Sequence, residues 1–345
     1  MVFQKRKKMK HNWYNLFFAM ASIMLTACGS DNFKIDTSNI SLDLQVVRFE
    51  PLLFEVSPGS LPLVADSLAK AHPEFTEVYG AGVLLIGKPS DEIFDEGLQA
   101  FVTDYTMASV YETVKSEYSN FDQEIQTLIE AFKRYNYYFP QHKVPTVYTC
   151  TSGFNQSVFT SDSFVAVALD NYLGDSGAEY YDRLAIENYK RIKMRRERIP
   201  HDVITAWLMA EFEFTPLENN LAAQMLYYGK ILYAADAIYP EMHDTIKFSY
   251  TPLQYNWAVE FENKVWSYLV ENKTLFTGKT SEINKYIQDA PFTAPFMNNS
   301  APRIGTFIGR QIIYQFMRHN PEYSIEMLMQ ENDYMKILNL SKYNP

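Results

Sequence analysis

The pattern in this chain that comes nearest to a catalytic motif is a histidine at the start of a predicted helix. His201 follows Pro200, and the apolar positions after it recur at helical spacing, which predicts a helix over 201–213. A zinc hydrolase of the H-E-x-x-H type needs a second histidine one turn later and a glutamate beside the first. Asp202 and Thr205 stand at those two positions here. A capping or surface role is therefore favoured for His201, which is kept as a candidate metal ligand only if remote residues complete the site.

No second pattern for catalysis or cofactor binding accompanies His201. Cys150 has no neighbouring base in the sequence and is predicted to be a small buried hydrophobe. Ser152 lacks the flanking glycines of a nucleophile elbow, and no glycine-rich phosphate loop occurs. The isolated histidines, without a His or Cys three or four residues away, are His72, His142, His243 and His319. We therefore expect neither a catalytic residue nor a cofactor.

The first 27 residues have the three parts of an export signal. A basic cluster without acidic residues covers 5–10, and an apolar run from Trp13 to Leu25 follows. The run is shorter than the roughly 20 residues of a permanent membrane span. It closes on Leu25-Thr26-Ala27-Cys28-Gly29, which resembles the lipobox at which bacterial lipoproteins are cleaved and lipidated. Residues 1–27 are therefore predicted to be a signal peptide, and Cys28 is predicted to carry lipid.

Removal of this leader would leave an acidic protein. The chain has 31 Lys and Arg against 41 Asp and Glu, and loss of the five leader cations reduces the first number to 26. The resulting net charge of −15 repels phosphate backbones and anionic headgroups. We therefore expect no nucleic-acid partner, and lipid must supply the attachment to the membrane. Only Cys150 remains once Cys28 is acylated, so the apolar core must stabilise the fold without an intrachain disulfide.

The elements that would position these residues are mostly helices. Residues 28–39 are polar and without periodicity, which is typical of a tether. Alternating or β-branched runs predict strands at 42–49, 144–149, 154–159 and 164–169. Helical spacing predicts helices at 123–138, 201–213, 220–239, 252–271, 304–319 and 322–339, with further pieces within 60–138. The chain is therefore expected to be α+β and predominantly α-helical, with a small central antiparallel sheet and one large domain over 40–345.

Glycines interrupt two of the predicted helices. Gly305 and Gly309 share one helical face, which favours close helix contact in a soluble core over a partner interface. Gly229 lies inside another helix at a cost of roughly 0.5 to 1 kcal/mol relative to alanine. It indicates either the close approach of another element or a functional pocket, which Lys230 would line.

Six short segments are distributed over nearly the whole chain from residue 165 onward. They are Leu169–Gly174 (LDNYLG), Tyr227–Tyr233 (YYGKILY), Asp236–Pro240 (DAIYP), Asp289–Thr293 (DAPFT), Pro302–Ile313 (PRIGTFIGRQII) and Ser341–Pro345 (SKYNP). Together these segments resemble one family, the gliding-motility lipoprotein GldB of Bacteroidetes. The N-terminal part of the chain matches that family more loosely.

The resemblance implies an envelope lipoprotein associated with gliding and with type IX secretion. It also implies a fold related to predicted zinc peptidases, with a peptidase-like core at about 140–345 and the His201 helix as the counterpart of their metal helix. Because Asp202 and Thr205 depart from the metal motif, the resemblance implies a pseudo-peptidase that keeps the scaffold and binds partners instead. No catalytic residue is carried over. The candidate pocket or partner contacts within the matching segments are Asp170, Tyr228, Lys230, Arg303 and Arg310.

Three functions stay open from the sequence. The leading hypothesis is a non-catalytic envelope lipoprotein that binds proteins of a motility or type IX secretion apparatus. The alternatives are a divergent zinc metallopeptidase that uses His201 with remote ligands, and a glycan-binding lipoprotein that uses its abundant aromatic side chains. Gly29 beside the lipidated cysteine argues against retention in the inner membrane, so we expect a location on the outer membrane facing the periplasm.

Overall fold

Four short strands form one mixed sheet among the helices. A computed structural model describes residues 33–345, and its strands are β1 Val46–Arg48, β2 Thr146–Cys150, β3 Val158–Thr160 and β4 Phe164–Ala168. Their order in the sheet is β1-β2-β4-β3. β1 pairs with β2 in parallel, β2 pairs with β4 in parallel, and β3 pairs with β4 in antiparallel. The predicted α+β, predominantly α-helical class is confirmed, but the prediction that the sheet is antiparallel is wrong for two of these three pairs.

A long chain connection explains the parallel pairing of β1 with β2. Residues 49–145 lie between β1 and β2, and a long crossover of this kind returns the chain in the same direction. β3 forms an antiparallel hairpin with β4 at the edge of the sheet. The connection within this hairpin is short, as the prediction of an antiparallel sheet assumes for all the strands. The strand predicted at 42–49 ends at Arg48, since Phe49 begins a helix.

Helices between β1 and β2 cover the sheet with aromatic side chains. They are α1 Phe49–Phe54, α2 Leu61–Ala71, α3 Pro73–Glu77, α4 Phe94–Thr103, α5 Tyr105–Glu117 and α6 Asp122–Tyr138, with a π-helical segment at Val78–Leu84. Phe75 of α3 stacks on Tyr148 of β2 with ring centroids 4.1 Å apart, and Phe49 packs on Phe75 at 4.6 Å. Every residue of β4 is buried, as expected for a strand with both faces covered.

The helices after the sheet carry the candidate site. They are α7 Ala178–Arg183, α8 Asn188–Arg191, α9 Ile199–Glu211, α10 Leu221–Ile238, α11 Asp244–Phe248, α12 Pro252–Glu260, α13 Glu262–Glu271, α14 Thr280–Ile287, α15 Ile304–His319, α16 Ile325–Gln330 and α17 Tyr334–Ser341. The predicted helices at 201–213, 220–239 and 304–319 are confirmed as α9, α10 and α15. Those predicted at 252–271 and 322–339 each divide into two. Asp333 explains the second break, because its carboxylate accepts the Lys336 N–H at 2.9 Å and so starts α17.

α10 and α15 approach each other through glycines. A Cβ on Gly309 would lie 1.9 Å from the Met225 carbonyl oxygen, and a Cβ on Gly229 would lie 2.5 Å from the Gly309 carbonyl carbon. A Cβ on Gly305, on the same face, would lie 3.0 Å from the Tyr286 carbonyl oxygen. Side chains at the first two positions would overlap with the backbone of the facing helix. The predicted use of these glycines for close helix contact in the core is therefore confirmed.

Residues Thr37–Pro345 form one compact unit. None of the helices described for residues 33–345 has the length and the apolar character that a membrane crossing requires. The predicted signal peptide at 1–27, the lipidation site Cys28 and the start of the tether at 28–39 lie outside the described residues.

Candidate functional site

His201 lies in the first turn of α9, in the interior, so the surface position favoured by the sequence is wrong. The residue is 4% exposed, and burial lowers the pKa of its imidazole below the usual value. Its Nδ1 atom lies 3.5 Å from Asp202 Oδ1, a long distance for a hydrogen bond, and its Nε2 atom has no hydrogen-bond partner among residues 33–345. Thr205, which stands in place of a second histidine, donates its hydroxyl to the His201 carbonyl oxygen at 2.8 Å. Thr205 therefore turns back onto its own helix.

Asp202 is held by two groups besides His201. Tyr172 donates its hydroxyl to Asp202 Oδ2 at 2.9 Å, and Arg198, one turn earlier, forms an ion pair with the same carboxylate. Burial alone would raise the pKa of Asp202, but the charge and hydrogen bonds of Arg198, together with the nearby His201 imidazole, lower it below the usual range. The carboxylate is therefore ionised at neutral pH and already has several partners.

A second buried carboxylate, that of Asp236 on α10, joins two cations. Its Oδ1 lies 2.6 Å from Lys247 Nζ on α11, and its Oδ2 lies 2.6 Å from Arg310 Nε on α15. Tyr314 donates its hydroxyl to the same Oδ2 at 2.9 Å. Arg310 also pairs with Asp244 through two nitrogen–oxygen contacts of 3.0 Å. Three helices are thus joined by two carboxylates and two cations.

The charges in this group stabilise one another. Burial would raise the pKa of Asp236, but the Arg310 and Lys247 charges lower it below the usual value. Burial would likewise lower the pKa of Arg310, but Asp236 and Asp244 hold it above the usual value. A buried group of this kind adds little net stability over an apolar core, yet it is expensive to break because the remaining partner is left as an isolated charge.

The carbonyl end of α11 connects the Asp202 pair to the Asp236 group. Arg198 donates to the carbonyl oxygens of Ile246 and Lys247, and Arg303 donates Nη2–H to that of Phe248 at 2.7 Å. Cations are favoured at this end of a helix, where carbonyl groups lack helical partners. We call the connected set the ion network: Tyr172, Arg198, His201, Asp202, Asp236, Asp244, Lys247, Arg310 and Tyr314.

Next to the ion network, Asp289 lies between two further cations. Lys193 Nζ forms an ion pair with Asp289 Oδ2, and Arg303 Nε lies 3.0 Å from Asp289 Oδ1. The Asp289 side chain is 42% exposed, whereas those of Lys193 and Arg303 are 27% and 22% exposed. Burial raises the pKa of the Tyr228 hydroxyl, and the charges of Arg303 and Asp289 also act on it. We call these four residues the Asp289 cluster.

Asp170, a predicted contact residue, lies fully buried just after β4. Its carboxylate accepts the backbone N–H groups of Ser152 at 3.1 Å and of Phe154 at 2.7 Å. Gly153 and Phe154 have left-handed φ values of 67° and 63°, and these hydrogen bonds hold that turn. Burial raises the pKa of Asp170 to about 6. The residue thus supports a strained turn after β2, and its role in binding a partner stays a prediction.

Lys230, on α10, contacts the carbonyl end of α16. Its Nζ donates to the carbonyl oxygens of Met329 at 3.0 Å and of Glu331 at 2.7 Å, and it lies 5.0 Å from the centre of the Tyr334 ring. Burial lowers the pKa of this amine to about 8. Lys230 therefore caps a helix end from the interior. That Lys230 also lines a functional pocket stays a prediction.

Within residues 33–345, no group of three or more His, Cys, Asp or Glu side chains is placed to hold a metal ion. The carboxylates of Asp202 and Asp236 make ion pairs with Arg198, Lys247 and Arg310. Because these carboxylates are paired with cations on other turns and helices, the ion network can fix the arrangement of the helices and stabilise charged side chains in the interior.

The structure brings together some of the predicted residues and adds others. Arg310 belongs to the ion network, whereas Tyr228 and Arg303 belong to the Asp289 cluster. Asp236 was not predicted as a site residue, although a carboxylate inside an apolar helix requires a buried partner. Lys247 was not predicted either, because no feature of its neighbourhood in the sequence distinguishes it.

Three of the six segments singled out in the sequence contribute a residue to the ion network. Tyr172, Asp236 and Arg310 come from three different segments and meet in it. The fold and the site thus define a mostly helical α+β protein organised around a buried ion network. A sequence profile described as "Gliding motility protein GldB" matches residues 30–345. The chain therefore belongs to the GldB family of gliding motility proteins. No curated protein and no solved structure matches it.

Proposed function

We propose that this protein is a non-catalytic, lipid-anchored envelope protein that binds protein partners of a motility or type IX secretion apparatus. The observation that carries the proposal is the family match over residues 30–345. Membership of a gliding motility family supports the motility role. Binding of partners and the absence of catalysis are what the proposal adds.

The ion network supports a non-catalytic role. A metallopeptidase needs ligands with free lone pairs and a carboxylate that can take a proton from the metal-bound water. Asp202 and Asp236 instead direct their oxygens to Arg198, Lys247 and Arg310. We propose that the scaffold is related to zinc peptidases and that ion pairs have replaced the metal ligands, which makes it a pseudo-peptidase.

Attachment to the membrane through Cys28 is the second part of the proposal. The lipobox Leu25-Thr26-Ala27-Cys28-Gly29 supports it. Because the acidic net charge of the domain repels anionic headgroups, attachment to the membrane requires the lipid. A lipid on Cys28 followed by a short polar tether would hold the domain close to the membrane surface. We propose the periplasmic face of the outer membrane as its location.

Deletion of the gene in the source bacterium tests the role. We expect the deletion to impair surface spreading, surface secretion or envelope assembly, and a plasmid copy of the wild-type gene to restore what is lost. A deletion strain that is normal in all three would overturn the proposal.

One observation favours a second candidate, a divergent zinc metallopeptidase. The Nε2 atom of His201 is buried without a hydrogen-bond partner among residues 33–345, and an imidazole nitrogen of this kind can bind a metal. Stoichiometric zinc in the purified protein, lost in His201→Ala and kept in His142→Ala, would support this candidate. Wild-type protein that stays free of zinc after incubation with the metal would remove it.

A further inference from the structure

We infer that the Asp289 cluster binds a carboxylate-bearing segment of a partner protein, an inference that rests on the proposed function. In this cluster Lys193 and Arg303 share the single carboxylate of Asp289. That carboxylate is partly exposed, and both cations retain some contact with solvent. A second carboxylate can therefore reach the same two cations from outside.

Cations outnumber carboxylates by one in the region formed by the ion network and the Asp289 cluster. Its cations are Lys193, Arg198, Lys247, Arg303 and Arg310, and its carboxylates are Asp202, Asp236, Asp244 and Asp289. The lowered pKa of His201 keeps that imidazole neutral at pH 7, so five positive charges lie among four negative ones. The chain as a whole has the opposite balance, with 31 basic and 41 acidic residues. A local positive excess in an acidic protein is the feature that an acidic ligand would recognise.

The excess lies at the solvent-facing edge of the region. The interior pairs are balanced, because Asp202 faces Arg198 and the two carboxylates on α10 and α11 face two cations. Lys193 and Arg303 are left with one carboxylate between them. Burial and the charges of Arg303 and Arg198 lower the pKa of Lys193 to about 8, although Asp289 opposes this shift. A second anion would stabilise the charged form of this lysine.

Two side-chain contacts hold Arg303 in the cluster. Its Nη2–H is donated to the carbonyl oxygen of Phe248 at 2.7 Å, and its Nε lies 3.0 Å from Asp289 Oδ1. Arg303 and Ser249, the residue after Phe248, are both in the left-handed region, with φ values of 49° and 55°. A conformation of this kind persists for residues with a side chain only where the surrounding structure over-determines the backbone. The guanidinium is therefore fixed between Phe248 and Asp289.

Asp289 also shows which anion the cluster is built to hold. Its carboxylate is bound by an ammonium group and by the Nε of a guanidinium. A guanidinium matches a planar carboxylate well. An aspartate, a glutamate or a terminal carboxylate of a partner can use the same donors. The occupant is therefore an acidic peptide segment, which the experiment below compares with a lipid headgroup phosphate.

Calorimetric titration with a hexaglutamate peptide tests the site. The lipidated protein would be purified in nonionic detergent and titrated at low ionic strength, where charge interactions are least screened. We expect saturable binding that Lys193→Gln weakens by about tenfold. Asp289→Asn frees both cations and is expected to tighten binding. Lys70→Gln removes one charge from an exposed pair with Asp66 and is expected to leave the affinity unchanged.

Three results would overturn the inference. The first is that hexaglutamate shows no saturable binding, and the second is that Lys193→Gln binds it with unchanged affinity. The third is that glycerol phosphate binds as tightly as hexaglutamate and depends equally on Lys193, which would assign the cluster to lipid headgroups. Circular dichroism reports whether each variant folds. If Lys193→Gln unfolds, Asp289→Asn decides by itself, since weaker or unchanged binding would contradict the inference. A protein that supports spreading in cells but does not bind hexaglutamate would overturn this inference and leave the proposed function standing.

Discussion

Asp236 is the residue on which the interior charge balance depends most directly. It contacts Lys247 and Arg310 and is almost completely buried. Asp236→Asn keeps the shape of the side chain but removes a counter-charge from two buried cations. We expect it to lower the free energy of unfolding by about 3 kcal/mol, measured by urea denaturation. Asp66→Asn, in an exposed pair with Lys70, is the matched control and is expected to change it by less than about 1 kcal/mol. Equal effects of the two substitutions would show that the buried pairs are dispensable.

His201 makes stability depend on pH in a direction that can be derived. Burial lowers its pKa below the usual 6.5, so below that pH the unfolded chain binds more protons than the folded protein. The stability contributed by the neutral imidazole is therefore present above pH 6.5 and is lost as the pH falls toward the folded-state pKa. His201→Gln removes this titration, and the advantage of the wild type over the variant is expected to shrink between pH 7.5 and 5.

Urea denaturation at the two pH values measures that change. Asp170, whose pKa is raised to about 6, titrates in the same range in both proteins and cancels in the comparison. An advantage of the wild type that stays constant or grows on acidification would contradict the buried, neutral state of His201.

Single residues could be predicted from the sequence where a local pattern singles them out. His201 could be named as a candidate because a histidine at a helix start can be compared directly with a known metal motif. Arg303 and Arg310 could be named because they lie in the segments that resemble the family. Lys247 was not found, because its burial depends on Asp236, a partner on the preceding helix whose side chain meets it only in the folded structure. The strained turn held by Asp170 escaped prediction for the same reason.

At the scale of elements, the contact of α10 with α15 determines how the ion network is positioned, since the two helices carry Asp236 and Arg310. Gly309→Ala would place a Cβ 1.9 Å from the Met225 carbonyl oxygen, so the helices would have to move apart. We expect a loss of about 3 kcal/mol or more in the free energy of unfolding, from thermal or urea denaturation.

A glycine in open space provides the control for that substitution. A Cβ on Gly59 would meet no heavy atom within 4 Å, and Gly59→Ala is expected to change stability by less than about 1 kcal/mol. If Gly309→Ala were as harmless as Gly59→Ala, the close approach of the two helices would be disproved.

Helices were predicted from the sequence more accurately than the pairing of strands. Helical periodicity is a local property, and it located α6, α9, α10 and α15 to within about three residues of their observed ends. Strand pairing depends on which distant segments meet, so the parallel pairing of β1 with β2 across a long helical crossover was not visible. Breaks such as the one before α17 depend on a single capping side chain, Asp333, within an otherwise helical pattern.

At the scale of the whole molecule, the proposed role depends on the attachment of an acidic domain to a membrane by lipid. Cys28→Ser removes the acceptor for that lipid. We expect the variant to be released into the soluble fraction or to accumulate as the uncleaved precursor, as followed by membrane fractionation and immunoblotting. Cys150→Ser changes the buried cysteine of β2 and is expected to leave the protein in the membrane fraction. Processed Cys28→Ser protein that remains membrane-bound would contradict the predicted anchor.

The general role of the molecule could be predicted from the sequence, but the arrangement of its site could not. Segments spread over residues 169–345 were sufficient to identify the family, which the match over residues 30–345 shows. The same segments did not reveal that Asp236 and Arg310 form one group, or that Asp289 and Arg303 form another. Those groupings result from the packing of helices that are far apart in the chain.

We propose that the protein serves its cellular role without chemistry at His201. The most direct measurement is surface spreading of a gene-deletion strain that carries either the wild-type gene or His201→Gln, with the protein abundance matched by immunoblotting. We expect the variant to restore spreading as well as the wild type does. Loss of spreading at wild-type abundance of a folded His201→Gln protein would contradict the proposed non-catalytic role.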